Sequence, residues 1–342
     1  MWWLVRGVVV GGTVISLACS AVLVSNGSMT IGTAFLLFQY VLLIERPLDE
    51  VVHELETVQK ATGAMRRVAQ LLAVEPTIVD TGTTSPPTGA LSISVREVDF
   101  DYGDDQPVLT EVSLELGAGR SVGIVGRTGS GKSTFSRLVL RLVEPSDGEI
   151  LLSGVPISEI PMRELRHRVA MVPQEVELIG GSIRDNVTLL DPQPSDAAVE
   201  AALEAVGLAS LVEVGSHRSL GGGGAGLSAG EAQLLAMARV WLRDPDVVVL
   251  DEATARIDPE TEARLAAAVR ALMEDRTTLI IAHRLSTLRD VDDIVVFDEG
   301  RVVEFGSREQ LTSDASTRYH RLLSLALDDD ATDAGAAEEL LR

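Results

Sequence analysis

The stretch GRTGSGKST, from Gly126 to Thr134, constrains the fold more than any other part of these 342 residues. It follows the apolar run SVGIV and precedes the helical run FSRLVLRLV, and this strand, loop and helix context turns a glycine pattern into a phosphate loop. Gly126, Gly129 and Gly131 let backbone amides wrap phosphate oxygens, while the helix N-terminus adds positive potential. Lysine occurs only as Lys60 and Lys132, so a lysine inside this loop is not incidental. The pattern predicts that Lys132 reaches the β- and γ-phosphates of ATP and that the Ser133 hydroxyl ligates Mg²⁺. Arg127, Thr128, Ser130 and Thr134 complete the loop around the nucleotide.

A second element, VVVLDE from Val247 to Glu252, has the unbroken apolar run of a strand buried on both faces. It ends in two carboxylates. Asp251 is placed to hold Mg²⁺ through water, and Glu252 to accept a proton from an attacking water. Just upstream, LSAGE at Leu227 to Glu231 offers a hydroxyl and flexible backbone amides to a phosphate, chiefly through Ser228 and Gly230.

The formal charge of −22 excludes nucleic acid as a partner, because backbone phosphates need clustered Lys and Arg. Cys19 is the sole cysteine, which excludes an intrachain disulfide and a cysteine-based metal site. The uncharged stretch from Gly7 to Val24 would span roughly 27 Å as a helix, close to a bilayer's ~30 Å core. A second run, Ile31 to Ile44, is nearer ~21 Å and spans with help from Met29 or Leu48, or in a thinned bilayer. Arg6, Arg46, Lys60, Arg66 and Arg67 flank this pair on one side, which places both termini in the cytoplasm. A cleaved signal peptide fits poorly, since Trp2, Trp3 and Leu4 precede the positive charge.

From Asp49 to Ala73, Val51, Val52, Leu55, Val58, Met65, Val68 and Leu72 recur near the helical period. The Pro, Gly, Ser and Thr content of Thr81 to Gly89 reads as a linker. From Leu91 onward, strands (LSISVREVDFDY, then VLTEVSLEL) give way to alternating apolar strands and helices, the mark of an α/β domain with a mainly parallel core sheet. Ser195 to Leu242 reads as Ala- and Leu-rich helix that forms a separate lobe. The expected organisation is two transmembrane helices in 1–48, a helical extension and linker in 49–88, a nucleotide-binding domain in 89–327 and an acidic tail in 328–342.

Together these residues resemble the ABC (ATP-binding cassette) family across nearly all of Leu91 to Leu327. VPQ at Val172 to Gln174 resembles its Q-loop, which implies that Gln174 senses Mg²⁺ and water. LSAGE resembles the signature that distinguishes this family from other phosphate-loop ATPases. IAHRLST, Ile281 to Thr287, resembles the switch whose His283 contacts the γ-phosphate. Asp258 in EATARID fits the D-loop at a dimer interface, and Tyr102 in VDFDY fits the aromatic that stacks on adenine. His53, His167, His217 and His320 have no such context and read as structural. The resemblance implies a P-loop NTPase of ABC type, with an antiparallel β subdomain and a helical subdomain beside the parallel core.

The string MTIGTAFLLFQYVLLIERPLDEVVHELETVQKATGAMRRVAQLL resembles the last membrane helix and cytoplasmic extension of an ABC exporter half. The implied protein is a multi-pass cell-membrane (inner or plasma membrane) exporter subunit that couples ATP hydrolysis to transport of an unidentified substrate. Its partners are the lipid bilayer and a second half-transporter, identical or not, whose Ser228 and Gly230 counterparts complete each site. Another reading is a membrane-anchored ABC ATPase that powers or regulates a partner complex, or a truncated exporter fragment. The family pattern is not followed everywhere. Ala229 stands where Gly is usual, Glu231 where Gln is usual, Gly222 where exporters place a coupling Glu, and Ile179 where an aromatic follows the Q-loop.

Overall fold

The computed structural model describes residues 2–103, 106–221, 226–251, 259–282 and 285–329. They fall into two compact units that divide between Thr77 and Ile78. The first holds helix α1 (Trp2–Ser25) and helix α2 (Ile31–Leu72). Both are long and apolar enough to cross a membrane. The turn between them is closed by Thr30, whose hydroxyl accepts a hydrogen bond from the Thr33 amide and caps α2. The apolar run and the amphipathic run that follows it form one continuous helix. Pro47 lies inside it, where proline removes one backbone donor without ending the helix. Arg6 and Glu45 approach to 3.8 Å across the pair, a half-exposed ion pair that contributes little by itself.

The second unit is built on two principal sheets. One is four-stranded, in the order β2-β1-β4-β5, from β1 (Ile93–Asp101), β2 (Pro107–Leu116), β4 (Asp147–Leu152) and β5 (Val155–Pro156). Its pairings are antiparallel. The other is six-stranded, in the order β12-β11-β3-β10-β9-β6. It comprises β3 (Ser121–Gly126), β6 (Val169–Val172), β9 (Val247–Asp251), β10 (Thr277–Ile281), β11 (Asp293–Asp298) and β12 (Arg301–Ser307). All its pairings are parallel except the β11–β12 hairpin. A short pair, β7 (Gly181–Ser182) and β8 (Ser219–Leu220), stands apart.

Helices lie on both faces of the six-stranded sheet, so its central strands β3, β9 and β10 are almost wholly buried and alternate residues feed two cores. Val122, Ile124, Val247, Val249, Leu279 and Ile281 face the core shared with the four-stranded sheet and α3 (Lys132–Val139). Val125, Val248, Leu250 and Ile280 face the other core. There they meet α5 (Ile183–Thr188), α6 (Asp196–Ala205), α7 (Ala209–Val214), α8 (Ala229–Arg243) and α9 (Pro259–Met273). The helical lobe expected from Ser195 to Leu242 therefore shares its core with the sheet. The remaining helices are α4 (Met162–Arg168), α10 (Arg308–Ser313) and α11 (Arg318–Asp329).

The Pro- and Thr-rich stretch before β1 lies within the second unit, bound along its length. The Thr83 and Thr84 amides donate to the Glu159 carbonyl, at 2.8 and 3.0 Å. Asp80 accepts from the Met162 amide, Ser85 donates to Glu164, and the buried Arg141 donates to the Val79 carbonyl. Arg168 reaches the Pro87 carbonyl. A side chain at Gly82 would collide with the Ile160 backbone, which is why glycine stands at this contact.

Candidate functional site

Parallel strands in register end on a common edge, and ligands of open α/β sheets bind beyond their carboxyl ends. Here Ile281 of β10 pairs with both Ile124 of β3 and Asp251 of β9, and Val172 of β6 pairs with Leu250. The phosphate loop after β3, the acidic end of β9 and the Gln174 segment after β6 therefore open on the same edge. Glu252, Asp258 and His283 lie outside the described residues, as does Gly222.

Gly126 and Gly131 shape the loop. Gly126 has φ +152°, and a Cβ there would meet the Phe297 carbonyl and the Ser130 hydroxyl. Gly131 has φ +101°, and a Cβ would strike the Leu109 side chain. Gly131 caps α3, so the N–H groups of the first helical turn have no intrahelical partner and remain for an anion. The Gly300 amide, from the β11–β12 turn, donates to the Ser130 carbonyl at 3.2 Å. Thr128, Gly129 and Ser133 are exposed, whereas Ser130 and Thr134 are buried.

Lys132 is 7% exposed, and its ammonium donates to the Gly126 and Arg127 carbonyls at 2.6 and 2.7 Å. Burial pushes its pKa below the ordinary lysine value, and the charge of Asp251 opposes that shift. Asp251 therefore acts electrostatically on the loop from the end of β9. A buried cation, unpaired helix amides, the exposed Ser133 hydroxyl and the Asp251 carboxylate form a donor set that fits a magnesium-bound triphosphate. Among the described residues, two nitrogens of Arg127 and the Ser130 hydroxyl are buried without a hydrogen-bond partner.

Tyr102 follows β1 and is half exposed. Its hydroxyl lies 3.2 Å from that of Thr134 and accepts from Arg137 at 3.0 Å, while the ring stands edge-on to Phe100 at 4.8 Å. Thr134, expected to face the nucleotide, is thus engaged with the aromatic residue.

Ser228 is the N-cap of α8. Its hydroxyl accepts from the Glu231 amide, and the Glu231 carboxylate accepts from the Ser228 amide at 2.8 Å. This reciprocal capping box turns the acid back onto its own helix and leaves the Ser228 hydroxyl hydrogen available to donate. The spacing Ser-x-x-Glu signals this contact in the sequence. Ala229 begins the helix and is exposed, where alanine favours helix over glycine.

Gln174 is exposed on the segment after β6. Residues without a motif of their own secure that segment. Gln233 of α8 donates to the Pro173 carbonyl at 3.3 Å, and Arg239 donates to the Glu177 and Asn186 carbonyls at 3.0 and 2.7 Å. Only their helical position facing the core hinted at such a role. His217 pairs with Asp196 on the surface and His320 contacts the Thr312 carbonyl.

The ABC transporter family pattern matches residues 109–255. An ATP-dependent lipid A-core flippase of Burkholderia orbicola is 38% identical over 291 residues, covering 84% of this chain and 49% of that protein. An uncharacterized ABC transporter ATP-binding protein of Bacillus subtilis, YknV, is 34% identical over 305 residues, covering 88% and 50%. A solved structure of a bacterial Atm1-family ABC exporter with ATP bound matches with a TM-score of 0.69 at 31% identity, covering 87% of this chain and 53% of that one. The chain spans about half the length of the relatives it matches.

Proposed function

We propose, from the premise that this chain is an exporter-type ABC protein with an ABC ATPase domain, that it hydrolyses ATP in a head-to-tail pair. We assign residues 1–48 to the membrane, 49–88 to the helical extension and the segment after it, 89–327 to the motor and 328–342 to a tail. The protein is an integral membrane subunit with its motor in the cytoplasm, and its partner is a second half-transporter, in the simplest case a second copy. The lipid A-core flippases among its relatives make a lipid amphiphile the first cargo to test.

In this reading Lys132 and the loop amides from Gly126 to Thr134 hold the β- and γ-phosphates, and Tyr102 stacks on adenine. Mg²⁺ would be held by Ser133, Asp251 and Gln174, partly through water, and would neutralise phosphate charge. Glu252 takes the proton from the attacking water, and His283 contacts the γ-phosphate. Ser228 and Gly230 of the second copy close the site, with Asp258 at the interface. The observation that supports this assignment is the arrangement at the sheet edge: Lys132 is buried on the loop's own carbonyls and lies within the field of Asp251.

A shared site makes activity depend on association. ATPase activity of the purified full chain is expected to rise more than linearly with protein concentration at fixed, saturating Mg-ATP. Strictly proportional activity from a protein that sedimentation shows to be monomeric would sink the shared site.

The Tyr102 tether gives a second, smaller expectation. Tyr102→Phe keeps the ring and loses hydrogen bonding worth about 1 kcal/mol, so ATP affinity should fall about fivefold. Tyr102→Ala removes stacking worth roughly 1–3 kcal/mol and should cost about tenfold or more. Equal losses in equilibrium binding would assign the effect to the hydroxyl rather than to the ring.

A further inference from the structure

We propose that Arg239 is a positioning residue that, with Gln233, clamps the Gln174 segment to α8, so that this segment and the Ser228 end of α8 move as one body. The inference rests on the reading above, in which Gln174 attends the chain's own ATP and Ser228 the partner's.

The segment from Pro173 to Asn186 has little regular structure beyond the two-residue strand β7 and the start of α5. Such a stretch needs side chains to satisfy its carbonyls and hold its course. From α8 come side-chain contacts to three of its carbonyls. Gln233, 9% exposed, takes the Pro173 carbonyl beside Gln174. One turn and a half further along α8, Arg239 bridges two more points, with Nη2 on the Glu177 carbonyl and Nε on the Asn186 carbonyl. Asn186 is fully buried and closes the loop from within: its Oδ1 accepts from the Ile179 amide, and its Nδ2 donates to the Ile179 and Ser182 carbonyls.

The guanidinium suits this task because its rigid fork spans two acceptors at once, whereas a lysine ammonium is a single point. Neither carbonyl carries a formal charge, and burial pushes the Arg239 pKa below its ordinary value. The group therefore sits here at an electrostatic cost that a surface arginine avoids. The apolar face of α8 contributes Leu234, Leu235 and Ala238 to the same core as Val172 and Leu250. Displacement of α8 is thus carried to the Gln174 segment through both packing and three carbonyl contacts.

The test is a double-mutant cycle in the full chain, read as ATP affinity, thermal midpoint and turnover. Arg239→Lys should leave ATP affinity within twofold and lower turnover about tenfold. Gln174→Ala should lower turnover by a similar or larger factor. Combining them should cost less than twofold beyond Gln174→Ala, because Arg239 acts through that segment. If the factors multiply, or if Arg239→Lys leaves turnover unchanged, the proposal is overturned. Gln233→Leu supplies a second cycle with Gln174→Ala, judged by the same criterion, should Arg239→Lys fail to fold. A normal turnover in Gln174→Ala alone would instead overturn the assignment of Gln174 in the proposed function.

Discussion

Lys132→Ala is expected to weaken ATP binding by two to three powers of ten, the larger of the ground-state effects. A unit charge pair at ~4 Å in an effective dielectric of about 20 is worth about 4 kcal/mol, and each ~1.4 kcal/mol is tenfold in affinity. In most sites the cost of drying the cation consumes much of that energy. Here the fold itself buries the ammonium and binds it to the Gly126 and Arg127 carbonyls. The drying cost is met during folding, as the lowered pKa of Lys132 indicates. Alanine leaves those two carbonyls without their donor, while Gly126 and Gly131 still impose the loop's backbone path. Equilibrium binding of ATP and a thermal melt separate the effects: affinity should collapse while the melting temperature shifts by only a few degrees. A loss below tenfold would mean that Lys132 does not contact the phosphates.

Glu252→Gln is expected to lower turnover on the order of a thousandfold while preserving ATP-dependent pairing of the chains, since a positioned base contributes about 10²–10⁴. The substitution keeps size and a hydrogen-bond acceptor but removes the ability to take a proton from water. Asp251, the preceding residue, ends β9 in register with Ile281 and is left unchanged. Binding and catalysis should therefore separate in this variant, whereas Lys132→Ala damages both. Single-turnover hydrolysis and size-exclusion chromatography with ATP provide the readouts. Turnover within tenfold of the unmodified chain would remove Glu252 as the base.

Much of the candidate site is legible because its chemistry is local. Lys132 and Ser133 stand at fixed offsets from the loop glycines, and Asp251 ends an apolar strand, so spacing suffices to identify them. The two long apolar helices are legible for a similar reason, since length and apolarity are counted along the chain. The segment from Thr81 to Gly89 misleads because Pro, Gly and Thr mark irregular backbone whether it floats or is bound. Its partners Glu159 and Glu164 are about eighty residues away in sequence. An acid at position 231 would repel a phosphate if it faced outward. Its carboxylate instead caps Ser228, a contact three residues apart that the Ser-x-x-Glu spacing already encodes.

Sequence alone determined which chemical groups this protein carries and the class of fold that presents them, because strand, loop and helix signals depend on neighbours a few residues away. Tertiary structure decided which groups share an environment. It set β9 and β3 on either side of β10, drew Tyr102 onto Thr134 and Arg137, and placed Arg239 across the Glu177 and Asn186 carbonyls. Those contacts join residues 32 to 62 positions apart. Periodicity carries no record of them: strand order is selected by burying two faces of one sheet at once, a property of the whole packed chain.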